Sequence, residues 1–280
     1  MLSAITRARV LNDGVVDGSA VGMTVLLDTA DKRSIQALRE SLEIVEDPAS
    51  FGQCMCIGDL AIELYDESEL TATIGLHHGK SIRWHAWKYD APLQDGLSLL
   101  GWLADRGVTG PRDQYEAARR LSLEHEEAAE HWRRSMPDCL ASFWPRMHEF
   151  DVDIEPMHQA LEAAHPDRTT RIVAICEWFG SGKGPWSGYP AYECVPEQLL
   201  LKYATAELVV ALTKNPPSAA QLEGAARFFA GWEFQRKRKG ELAQIPPAFK
   251  QRLLDHALTS PGAGNKERAK SAFGDEWFDI

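Results

Sequence analysis

The sequence predicts an α+β chain: a small N-terminal unit with an antiparallel sheet and two helices, followed by an all-α stack of helical hairpins or a bundle. Two patterns carry this. Strand-like apolar runs are confined to the first 110 residues, and after them apolar residues recur three or four apart almost to the end. Composition agrees, since 280 residues at 44% hydrophobic and 25% charged describe a globular chain able to bury a sizeable core. The stretch "VTGP" after Gly107 separates a unit at 1–110 from one at 111–280.

Each element follows from its residues. "MTVLLDT" is apolar enough for a buried strand. In "ADKRSIQALRESLEIVE", Ile35, Leu38, Leu42 and Val45 make one helix face, with Asp31 as the cap. In "CMCIGDLAIELYD", Leu60, Ile62 and Leu64 alternate with Asp59, Ala61 and Glu63, and in "LTATIGLHHG" Ile74 and Leu76 share a face. "DESE" between them supplies turn chemistry, which predicts an antiparallel hairpin. His78-Gly79-Lys80 turns the chain again, making "SIRWHAW" the third strand of a meander. "APLQDGLSLLGWLADRG" closes the unit as a helix with Leu93, Leu97, Leu100 and Leu103 aligned and Gly107 at its C-terminus.

From Arg112 a long charged helix is expected, with Tyr115, Ala118, Leu121, Ala128 and Trp132 on one side and Glu116–Arg120 and Glu130–Arg134 spaced as ion pairs. Shorter helices follow, several opening on proline, aspartate or serine. Their succession, including "RIVAICEWF" and "ARFFAGWEF", resembles HEAT or armadillo proteins, although no fixed period runs along the chain. The whole is similar to uncharacterised bacterial proteins and to acidic immunity or adaptor proteins that occlude a toxin or enzyme. That resemblance rests on general pattern, involves no diagnostic motif and brings no functional residue with it.

A net charge of −11 argues against nucleic acid as the partner. The basic run Arg236 to Lys239 reads as a solvated helix end. Residues 1–111 hold nine basic and sixteen acidic side chains, so a basic protein partner would meet that end. The N-terminal stretch has no signal-peptide pattern, and the longest apolar runs are too short to span a bilayer. Five irregularly spaced cysteines fit reduced thiols. These features together predict a cytoplasmic protein without a membrane partner.

Several motifs approach known chemistry. "WFGSGKGPWSGYPAY" imitates a phosphate loop, but Glu177 stands where the first glycine belongs, Gly184 replaces the hydroxyl residue, and a helix precedes it. The stretch therefore reads as a helix connection. Lys183, Trp186, Tyr189 and Tyr192 are its candidate partner-binding residues, because Trp and Tyr dominate binding hot spots. His125 and His131 are off register for a zincin helix. Asp151, Asp153, Glu155 and Glu162 echo a calcium loop, but Pro156 occupies its glycine position. No Gly-x-Ser-x-Gly nucleophile is present, and no catalytic residue is assigned. Cys54, Cys56, His77 and His78, with Arg83 nearby, form the alternative site, a zinc centre. Read as strands, however, Cys54 and Cys56 share a face without the turn that aims amides at sulfur, while His77 and His78 point oppositely. The expectation is thus a non-enzymatic interaction module with no cofactor, and the competing reading is a metal-binding protein or metal-dependent enzyme.

Overall fold

The computed structural model describes residues 4–47, 52–149, 151–186, 190–259 and 262–274, and divides into two compact units, Met1–Leu123 and Glu124–Ile280. In the first unit the strands are β1 (Arg7–Asn12), β2 (Val15–Val16), β3 (Ser19–Ala20), β4 (Val25–Thr29), β5 (Leu60–Asp66), β6 (Glu69–His77), β7 (Ser81–Trp84) and β8 (Ala91–Pro92). They form a six-stranded antiparallel sheet in the order β4-β1-β5-β6-β7-β8 and a small β2–β3 hairpin.

The expected meander is present, with Ile62 opposite Ile74 and Leu76 opposite Ile82. Two features differ from expectation. The run at Cys54 is not part of β5, which starts at Leu60, and β7 ends at Trp84 instead of continuing through "HAW". The inner strand β1 is also absent from the sequence reading. Its buried Ala8 and Val10 alternate with Arg7 and Arg9, and two arginines in six residues conceal the apolar face. The charges are matched across the sheet, Arg7 to Asp28 on β4 and Arg9 to Glu63 on β5.

Helices α1 (Lys32–Ser41) and α2 (Gly96–Ala104) cover one sheet face, where Ile35, Leu38, Leu99 and Leu103 pack with Leu60, Ile62, Leu64, Ile74 and Leu76. Asp31 caps α1 by accepting from the Ser34 amide. Because strand residues alternate, Thr73, Gly75 and His77 fall on the opposite face, beside Ala61, Leu11 and Val15. That face is partly covered by β2–β3. Parity therefore places His77 away from the helices, and the candidate site lies there.

Helix α3 (Gly110–Ser135) contributes its first part to this unit and its last turns, with Trp132, to the second. The second unit continues with a 3₁₀ segment (Asp138–His148) and α4 (Glu155–Ala164), α5 (Arg168–Phe179), α6 (Val195–Leu200), α7 (Thr205–Thr213), α8 (Ala219–Phe229), α9 (Trp232–Arg238), α10 (Pro247–Thr259) and α11 (Ala263–Phe273). Among the described residues no helix is long and apolar enough to cross a membrane. Trp132, Trp178, Leu199, Phe228, Phe229 and Phe234 lie at its fully buried centre.

Helices α5 and α8 approach closely at two glycines: a Cβ on Gly224 would stand 1.8 Å from the Cys176 carbonyl oxygen, and one on Gly180 1.8 Å from that of Ala220. Gly180 is therefore required by packing and not as a left-handed cap, since its φ is −77°. The helix expected through "ARFFAGWEF" breaks before Trp232, and Glu197 accepts the Glu233 amide at 3.1 Å to satisfy the new helix start.

Arg171, Glu193, Glu197 and Arg227 are buried within this unit. Arg227, 2% exposed, pairs with buried Glu193, donates to the Phe179 carbonyl and lies 4.6 Å from the Phe179 ring. Removing the cation strands a carboxylate in an apolar surrounding. Arg227→Met should therefore destabilise the helical unit by about 3–5 kcal/mol in urea unfolding, and adding Glu193→Gln should recover part of the loss. Burial pushes the Glu197 carboxyl up to about 7. A raised carboxyl pKa means that the folded state holds its proton longer, so this group's contribution falls as pH rises from the unfolded value toward about 7. Glu197→Gln should match the parent near pH 4.5 and exceed it at pH 8 by on the order of 2 kcal/mol, read from melts across that range.

Candidate metal centre

Residues 52–59 form a loop ahead of β5, and the structure places Cys54 and Cys56 on it. A buried carboxylate anchors this loop. Asp90, 3% exposed, accepts the Cys54 amide at 2.8 Å and receives Arg83 through Nε at 2.6 Å and Nη2 at 2.9 Å. Arg83 also donates to the Cys54 carbonyl at 2.6 Å and the Cys56 carbonyl at 3.0 Å, so one guanidinium holds both cysteine backbones. Burial alone would raise the Asp90 carboxyl, but Arg83 and the Cys54 amide bring it below the ordinary carboxylate range.

The loop supplies the amide-to-sulfur geometry that a straight strand would lack. The Cys56 amide reaches the Cys54 sulfur at 3.5 Å, and the Gly58 amide hydrogen-bonds to Cys56. Gly58 has φ +98°, and a Cβ there would meet the Leu76 carbonyl oxygen at 2.8 Å, so glycine is required.

The histidines also depart from the alternation expected of them. His77 ends β6, whereas His78 opens the turn with φ +53°. Strand parity stops at His77, and the left-handed residue turns the next imidazole back toward the same cysteines. Cys54 Sγ and Cys56 Sγ are 3.0 Å apart. His77 Nδ1 lies 3.2 Å from Cys56 Sγ, while His78 Nε2 lies 3.3 Å from Cys54 Sγ and 3.4 Å from Cys56 Sγ. The donor atoms of Cys54, Cys56 and His77 all fall within 4.8 Å of one another. All four alternative site residues are thus brought together.

The protonation of His77 and Cys54 favours ligation, whereas that of Cys56 opposes it. Burial lowers the His77 pKa and keeps the imidazole neutral, the form that has a lone pair to give. His77 Nε2 is buried without a hydrogen-bond partner, which leaves Nδ1 as the nitrogen facing the sulfurs. Hydrogen bonds from Cys56, with a further one from His78, bring the Cys54 thiol down to about 7. Burial and the neighbouring Cys54 push Cys56 up. The remaining thiols differ: burial raises Cys139, Cys194 to about 11 and Cys176 to about 12, which disfavours their thiolates.

The aromatic connector folds inward. Trp186 is 3% exposed, bonded through its amide to Asn265 and through its indole to Glu223, and Tyr192, 8% exposed, packs at a tilt against Trp132 and Trp144. Lys183 is exposed, and Tyr189 lies outside the described residues. His125 and His131 are solvent-facing on α3. Of the imitated calcium loop, Glu155 pairs with Lys202, Asp153 accepts the Glu155 amide, and Glu162 pairs with Arg171. Asp90 and Gly58 escaped the sequence reading, because neither lies in a motif and Asp90 acts across 36 residues.

No protein-family model, curated protein or solved structure matches the chain, so the reading of this site rests on its own geometry.

Arg83→Lys keeps the charge but cannot reach two carbonyls and a carboxylate at once. The Cys54 amide should then exchange with deuterium at least tenfold faster in native-state exchange, while amides of the second unit keep their rates.

Proposed function

We propose that the N-terminal unit is a metal-binding module that holds a zinc ion through Cys54, Cys56 and His77, with His78 as the fourth ligand. The observation that carries this reading is the convergence of two thiols and a neutral, buried imidazole within 4.8 Å of one another. A tetrahedral zinc site sets sulfurs about 3.8 Å apart and sulfur–nitrogen pairs about 3.5 Å apart. The observed sulfur–nitrogen distances of 3.2–3.4 Å are slightly tighter, and the sulfurs, 3.0 Å apart, must separate by about 0.8 Å to hold the ion. Two soft thiolates with two imidazoles favour zinc over magnesium or calcium, which demand oxygen. Arg83 and Asp90 support the reading as the groups that orient the ligand loop.

The interaction-module reading draws no support from Trp186 or Tyr192, whose rings are occupied by intramolecular packing. It keeps only the exposed Lys183 of the described loop residues.

Protein purified after zinc-supplemented growth should carry one equivalent of zinc. Cys56→Ser should abolish binding, and His78→Ala should weaken it by about 10–100-fold while three donors remain. Zinc should also protect Cys54 and Cys56 from alkylation. A metal-free parent protein that takes up no added zinc, with Cys54 and Cys56 joined as a disulfide, would overturn the proposal and leave a redox pair in its place.

A further inference from the structure

We infer that the cleft on the His78 side of this centre is an anion site for a small molecule bearing a phosphate or carboxylate group, held by Lys80 and Arg119. The inference deepens the metal reading by assigning a ligand class to the same site.

The cleft has a volume of about 400 Å³ and is bounded by His78, Lys80, Gln114, Tyr115, Arg119 and Ser122, along with Ala118. It presents two permanent cations and no carboxylate. That balance opposes the rest of the unit, where acidic side chains outnumber basic ones eighteen to twelve over residues 1–123. Most arginines near the sheet are neutralised: Arg7 by Asp28, Arg9 by Glu63 and Arg83 by Asp90. Among the described residues, neither Lys80 nor Arg119 takes part in an ion pair, and Lys80 Nζ rests 6.0 Å from the Tyr115 ring centroid. Two unneutralised cations facing one concavity repel each other, and an oxyanion between them removes that repulsion.

The positions are fixed by the backbone. Lys80 closes the turn after His77, with its amide on the His77 carbonyl at 3.0 Å and its carbonyl accepting the Leu93 amide at 2.9 Å. Gln114, Tyr115, Ala118, Arg119 and Ser122 follow one face of α3 at helical spacing. His78 is shared: its Nε2 faces the sulfurs, its Nδ1 stands 3.9 Å from Asp59, and its side chain, 60% exposed, also borders the cleft. Zinc on His78 therefore fixes one wall of the anion site, and an occupied anion site steadies the ligand in return, a reciprocal coupling. The cleft volume and the net charge of −11 together favour a small anion over a polyanion. The larger cavity, on the Cys56 side, sets Asp17 and Asp90 against Arg83 and Lys88, so its balanced charges identify no ligand class.

The test is an NMR titration of the zinc-loaded full chain with inorganic phosphate, and in parallel with acetate, against chloride at equal ionic strength. Saturable shifts at Lys80, Tyr115 and Arg119 are expected. Lys80→Ala and Arg119→Ala should each weaken binding at least tenfold while zinc content stays at one equivalent, and removing zinc should weaken it about fivefold. Full zinc occupancy without saturable binding of either anion would overturn the anion site and leave the metal centre intact. So would saturable binding that the Lys80→Ala/Arg119→Ala double variant leaves unchanged. Binding lost in the double variant of a chain that takes up no zinc would retain the anion site and refute the metal centre instead.

Discussion

The candidate centre depends on one buried carboxylate. Asp90 is buried at 3% exposure, where an unpaired charge would be prohibitive. It is tolerated because Arg83 reaches it with two nitrogens and the Cys54 amide with a third. The same arginine turns its other donor and one shared nitrogen to the carbonyls of Cys54 and Cys56. With the backbone bonds from the Asp90 amide to Gly52 and from the Val15 amide to Ile57, this pair holds the loop against the sheet. Without that pair, two thiols separated by one fully exposed methionine would have no reason to face two histidines.

The second unit uses the same device for another purpose. Arg227 and Glu193 neutralise each other inside an aromatic core, and the arginine also takes the Phe179 carbonyl at the end of α5. The segment from Gly180 to Glu193 is thus fastened at both ends, and its described aromatics fill the core instead of facing outward. In both units a single guanidinium links an irregular segment to regular structure. Arginine suits the role because its five donors lie in a rigid plane and its charge does not titrate away.

Much of the fold was legible because the periods are clean. Leu60, Ile62 and Leu64 alternate, and Ile35, Leu38 and Leu42 recur at helical spacing, so the hairpin and its covering helix follow directly. The inner strand β1 was hidden because alternation was carried by two arginines whose partners, Asp28 and Glu63, belong to other strands. The break between α8 and α9 was hidden likewise, since the group that satisfies the new helix start is Glu197, 36 positions away. Propensity reads neighbours, and these decisions belong to residues far apart in the chain.

The four ligand candidates show where the division lies. The sequence by itself determined which atoms are available: two thiols with one residue between them, two adjacent imidazoles, and a turn at His78–Lys80 to bring the runs close. Only the tertiary structure decided that they converge. Cys54 and Cys56 leave strand geometry because Arg83 and Asp90 hold their backbones in a loop, and His78 leaves strand parity because its φ is positive. The sequence marks the turn at His78-Gly79, but neither the left-handed φ of His78 nor the loop at Cys54 is visible in hydrophobic periodicity. A buried ion pair and a turn stabilised across the sheet set them, and those contacts exist only once the chain has folded.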